Sequence, residues 1–117
     1  MNYTTAPGIL RTKEDKKYLP ITLENIFESC CIEFKVKPEK VRSKIRKHEI
    51  VLARQTFFFF ARKFTPNSLL SLGEFIGGYD HTTVIHSVKQ IENYLDTDEI
   101  MRLHIASIQN RIYANNC

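Results

Sequence analysis

A chain of 117 residues is long enough for one hydrophobic core and too short for two, so a single domain is expected. Its 43% apolar and 26% charged residues fit a globular protein, its longest apolar run is far shorter than a membrane span, and residues 1–20 lack the apolar centre of a secretory signal peptide. The formal charge of +4 hides an asymmetry: residues 35–63 hold ten Lys and Arg against Glu39 and Glu49, whereas the other 88 residues hold seven basic and eleven acidic ones.

Residues 1–20 are polar, contain Pro7, Gly8 and Pro20 and show no apolar period, so they are expected to form a flexible arm before a domain over 21–117. Thr22 is placed to cap a helix running to about Phe34, with Ile26, Cys30 and Phe34 at four-residue spacing. Three cysteines, two of them adjacent (Cys30, Cys31, Cys117), suggest free thiols in a reducing, cytoplasmic setting. Without a CxxC pair or a second Cys/His cluster, Cys30 and Cys31 read as small core residues rather than metal ligands. A short helix is expected from Pro38 to about Lys44, followed by a basic connection over Arg46 to His48.

The segment EIVLARQTFFFFARKF, residues 49–64, is the longest helix candidate. At 100° per residue, Ile50, Ala53, Phe57, Phe60, Ala61 and Phe64 share one stripe, with Arg54, Phe58 and Arg62 as a flanking row. On this pattern Phe58 and Phe59 fall outside the core, against neighbouring helices or at the surface. Ser68 is placed to cap SLLSLGEFI, which Gly77 and Gly78 end by admitting positive φ. Asp80 then stands at an N-cap position before a helix from 81 to about 95, whose Val84, Val88, Ile91 and Leu95 form one apolar stripe. Thr97, followed by Asp98 and Glu99, opens a last helix with Met101, Ile105, Ile108 and Ile112 on its inner row. No strand candidate emerges. The fold expected is all-α, a compact multi-helix domain containing a helix, a short Gly-containing turn and a second helix in the spacing of a helix-turn-helix.

The stretch GGYDHTTV, residues 77–84, admits three chemistries. A metal site is disfavoured because His81 and His86 are five residues apart, about 140° around a helix, where zinc ligation wants i, i+4. Catalysis is disfavoured because His81, Thr82 and Thr83 point different ways with no orienting third group, and GxxxxGK[ST] is absent. Neither an enzyme nor a cofactor is therefore expected, nor a small-molecule substrate. The third chemistry is that of a recognition helix: an Asp accepts from a cytosine amino group, and a threonine methyl or imidazole packs on a thymine methyl. Thr82, His86, Lys89 and Asn93 form a polar stripe opposite the valine and isoleucine one, leaving one face for the core and one for double-stranded DNA. The bland alternative is that Asp80 only caps and the stripe is only solvated. The basic block beside this pattern reads as a phosphate-binding surface.

These residues resemble the C-terminal DNA-binding domain of the bacterial DnaA replication initiators, a Trp-repressor-like helix-turn-helix fold also called domain IV. The resemblance rests on LARQ at 52–55, ARKF at 61–64, SLLSLG at 68–73, GGYDHTTV at 77–84, and His86 with Lys89. It runs without a gap from about Arg46 to Lys89 and more weakly from Leu23 to Ile112. It implies that Arg46 enters the minor groove while Asp80, His81 and Thr82 read bases in the major groove, with Thr83 adjoining. It implies backbone contacts from Lys47, Arg54, Gln55 and Arg62, joined by Tyr79, His86 and Lys89. The implied target is an asymmetric box of the TTATCCACA type.

Three departures stand out. Tyr79 replaces the family's arginine and supplies one hydroxyl but no charge to a phosphate, and Ile45 and Glu49 stand where basic or small polar residues are usual. A full initiator carries an ATPase module before this domain, and without one the chain is expected to bind without unwinding an origin. The expected function is regulation of replication initiation or of transcription by occupying such boxes. The alternative is a protein-interaction adaptor using Phe58, Phe59 or the last helix against a partner such as an initiator.

Overall fold

The computed structural model describes residues 21–115, so the expectations for the arm at 1–20 and for Cys117 lie outside the described residues. Among these residues six helices follow in order: α1 (Leu23–Phe34), α2 (Pro38–Val41), α3 (His48–Phe64), α4 (Leu69–Ile76), α5 (His81–Thr97) and α6 (Glu99–Asn115). Among the described residues there is no strand, and no helix is long and apolar enough to cross a membrane.

The helix ends are set by side chains at sites visible in the sequence. Thr22 accepts from the Asn25 amide at 3.1 Å and Ser68 from the Ser71 amide at 3.1 Å, each satisfying a donor that the first turn leaves free. Lys35 closes α1 in the left-handed region at φ 57°, where its amide and that of Val36 turn back onto Ile32 and Cys31 carbonyls. The last cap differs from expectation. Thr97 is the final residue of α5 and its hydroxyl bonds the Asn93 carbonyl, while Asp98 caps α6 by accepting from the Met101 amide at 3.0 Å. A carboxylate is the better acceptor of the two, and the backbone extends only at residue 98. Helix α2 is likewise shorter than expected, ending at Val41.

The largest correction concerns the phenylalanine run. Phe57, Phe58 and Phe60 are all 0% exposed, and Phe59 is half-buried against the same core. A single stripe describes a helix with one covered side, but α3 packs against α1, α2, α4 and α5 and is buried over a far wider arc. Phe57 meets Phe27 edge-on at 5.7 Å and stacks on Phe75 at 5.3 Å, Phe58 packs its edge on Tyr79 at 6.4 Å, and Phe60 stacks on Phe64 at 5.8 Å. Cys30 and Cys31 join this core as anticipated, and burial pushes their thiols up to about 12 and about 11.

Candidate nucleic-acid interface

Helices α4 and α5 with residues 77–80 form the helix-turn-helix, and its tightness comes from two glycines. The amides of Gly78 and Tyr79 both donate to the Gly73 carbonyl, at 3.0 and 3.1 Å. A methyl group at residue 73 would lie 1.8 Å from the Tyr79 carbonyl oxygen, so the turn closes onto α4 only because residue 73 has no side chain. Gly77 takes φ 129°, and a methyl there would stand 2.4 Å from the Arg42 carbonyl oxygen. The turn is thereby pressed against the end of α2 as well.

Asp80 starts α5 by accepting from the Thr83 amide at 2.9 Å. That bond first, and the Thr83 hydroxyl second, hold its carboxyl below the usual carboxylate range. Asp80, His81 and Thr82 are exposed at the tip, and Thr83 is half-buried beside them. His86 and Lys89 continue the exposed row while Val84, Val88 and Ile91 are buried, so the two faces of α5 separate as the spacing predicts; Leu95, the last residue of that stripe, is only half-buried against the core.

The connection between α2 and α3 is held from inside by Arg54. This arginine is 6% exposed; its Nε donates to the Val41 carbonyl at 3.0 Å and its Nη2 to those of Ser43 and Ile45 at 3.0 and 3.1 Å. Burial lowers its pKa, opposed by Tyr79 and assisted by the nearby Arg46 charge. Two nitrogens of Arg54 thus serve the carbonyls of the last α2 residue and of the connection, which have no ladder partners and need donors, while the residue also lines the cleft described below. Tyr79 acts on the same segment: its hydroxyl donates to the Ser43 carbonyl at 2.6 Å. Arg42 is also spent on structure, bonding the Phe75 carbonyl with Nη1 and lying over the Phe27 and Phe75 rings at 4.6 and 4.5 Å.

With those groups committed, the remaining cations face outward. Arg46, Lys47 and His48 are exposed. A cleft of about 510 Å³ opens between the connection and α5, where Arg46, Gln55, Tyr79, Thr83 and His86 meet. No Asp or Glu is among the described residues lining it. The structure does not bring Arg62 there: it is exposed in the last turn of α3, about 12 Å along the axis from Arg54. Lys47 and Lys89 also lie outside the lining, at the start of α3 and one turn beyond His86. Gly73, Arg42 and Ser43 also set this geometry and carry no signal in the sequence: Gly73 meets the Tyr79 backbone six residues on, Arg42 the Phe75 carbonyl, and the Ser43 carbonyl the side chains of Arg54 and Tyr79.

Residues 23–91, from the start of α1 through most of α5, match the family model described as the bacterial dnaA protein helix-turn-helix. The chain belongs to the bacterial DnaA helix-turn-helix family. Among curated relatives, the chromosomal replication initiator protein DnaA of Wolinella succinogenes is 35% identical over 111 residues, 95% of this chain and 25% of that protein. Those named chromosomal replication initiator protein DnaA from Streptococcus equi subsp. zooepidemicus and Campylobacter concisus are 36% and 33% identical over 87% and 92% of this chain, and 23% and 24% of their own lengths. The chain thus spans about a quarter of the DnaA relatives it matches, and both the basic connection and the GGYDHTTV turn fall inside the family match.

Proposed function

We propose that this chain binds double-stranded DNA sequence-specifically at a DnaA-box-like site, with the first turn of α5 in the major groove and the basic connection in the minor groove. The observation that carries the reading is the juxtaposition at one face. The exposed Asp80-His81-Thr82 tip stands beside a carboxylate-free cleft to which Arg46, Gln55, Thr83 and His86 contribute. Such a face neutralises phosphates while leaving an acceptor, an imidazole and a hydroxyl for base edges. Lys47, Arg62 and Lys89 extend the cationic surface around it. In this reading the chain acts in the cytoplasm on replication initiation or transcription, and it carries no ATPase activity of its own.

The adaptor alternative loses one of its anchors, since Phe58 is in the core. It retains the exposed Ile100 and Leu103 on α6, which are remote in sequence from the reading tip.

The test is Arg46→Ala measured by fluorescence anisotropy on a box-containing and a scrambled duplex. The expected loss is about 1 to 3 kcal/mol on the box and much less on the scrambled sequence. If Arg46→Ala binds both duplexes as the wild type does, the minor-groove assignment is wrong.

A further inference from the structure

The basic connection and the helix-turn-helix turn are joined at one side chain. Tyr79 donates its hydroxyl to the Ser43 carbonyl at 2.6 Å, and the Lys44 ammonium lies 3.7 Å from the centre of the Tyr79 ring. Lys44 Nζ also reaches the Gly78 carbonyl at 3.4 Å, and the Arg54 guanidinium stands 4.9 Å from the same ring. The ring itself is fixed by the buried edge of Phe58 at 6.4 Å and by the close fit of Gly73 against the Tyr79 backbone. Two consecutive residues of the connection are therefore held by opposite parts of one tyrosine: residue 43 by its hydroxyl and residue 44 by its π face. An exposed lysine normally samples many rotamers, and a ring face with a carbonyl beside it restricts that freedom without neutralising the charge. Among the described residues no carboxylate is in ion-pair distance of Lys44 to compete for it.

We propose that Tyr79 is a positioning residue for DNA recognition: it latches the basic connection to the turn and so fixes the distance between the minor-groove and major-groove readers. The proposal rests on the DNA-binding reading above. Its physical content is that Arg46, two residues from Lys44 on an exposed non-helical segment, and Asp80, next to Tyr79, share one rigid reference. Tyr79 brings no charge to DNA. Its loss therefore changes discrimination between sequences rather than the number of phosphates neutralised.

Two measurements on the full chain separate the latch from its consequence. In the free protein, Tyr79→Leu is expected to speed amide exchange at Ile45, which donates to Ser43 Oγ at 3.2 Å, by roughly tenfold more than in the α3 core, where Phe58 loses its contact with the ring. On DNA, Tyr79→Leu is expected to lower the box-to-scrambled affinity ratio by at least about fivefold, the effect of one poorly read base pair, with the salt dependence unchanged. Tyr79→Phe keeps the ring under Lys44 and loses only the Ser43 bond, so both readouts fall between wild type and Tyr79→Leu. A Glu99→Gln control, exposed in the first turn of α6, leaves both at wild-type values. Wild-type exchange at Ile45 in Tyr79→Leu, or faster exchange with an unaltered affinity ratio, overturns the proposal while leaving the DNA-binding reading intact. A wild-type chain that fails to prefer the box overturns both.

Discussion

At the seam between α1 and α6, Glu33 accepts from His104 Nδ1 and Ser107 Oγ, both at 2.7 Å, with Arg111 Nη2 4.0 Å away. At the connection, the polarity is reversed: Arg54 is the central donor and backbone carbonyls accept. Both junctions tie elements together by satisfying polar groups held away from solvent, the seam across 71 and 74 residues of chain and Arg54 across 9 to 13. They leave different surfaces behind. The seam surrounds its acid with donors and ends there, whereas the connection satisfies its carbonyls from within and leaves Lys44, Arg46 and Lys47 exposed at its surface. A basic block in a sequence is thus divided by the fold into arginines that hold the segment and cations that the segment presents.

That division is open to attack in four places. Phe58→Ala removes a ring packed on Tyr79 inside the core that both junctions share, and it should lower the unfolding free energy by about 3 to 5 kcal/mol in a single transition, measured by denaturant melts. Arg54→Met takes the donors from three carbonyls and is expected to cost about 3 kcal/mol, together with loss of discrimination between duplexes. An Arg54→Met chain that melts like the wild type would erase the distinction between holding and presented arginines.

Glu33→Gln should cost about 1 to 2 kcal/mol near neutral pH and leave DNA binding alone, because its bonds to His104 and Ser107 are internal to the seam. Burial raises the Glu33 pKa, but the bonds from His104 and Ser107 and the charges of His104 and Arg111 outweigh it and hold the group below the usual range. The sign follows. Stabilisation by Glu33 is fully present above its unfolded pKa of about 4.3 and is lost as pH falls through the lower folded value. The stability gap between wild type and Glu33→Gln should therefore be flat near neutrality and shrink in acid. Arg62→Gln is the mildest change: stability within about 0.5 kcal/mol of wild type, equal weakening on every sequence, and a salt slope reduced by about 1.

Much of the architecture was legible because helix caps and apolar periods are local. Thr22, Ser68 and Asp80 cap where a side-chain oxygen precedes a periodic run, and the α5 stripe of Val84, Val88 and Ile91 buries as spaced. Phe58 was misplaced because a period reports which face is apolar, not how many sides of a helix are covered. Asp98 displaced Thr97 as a cap because the choice between neighbouring acceptors depends on where the backbone extends. At the candidate site, the resemblance placed Arg46 and the DHTT tip on one face. It could not foresee that Arg54 and Tyr79 would also bond the connection, since their partners are the backbone carbonyls of Val41, Ser43 and Ile45, which no residue type announces.

The central claim is that this face reads sequence and does more than attract phosphate. Titrating the wild-type chain onto a TTATCCACA-type duplex and a scrambled duplex at several salt concentrations separates the two terms. The account predicts that both affinities fall as salt rises while the box stays bound at least roughly a hundredfold tighter throughout. Equal binding of the two duplexes at every salt concentration would contradict it.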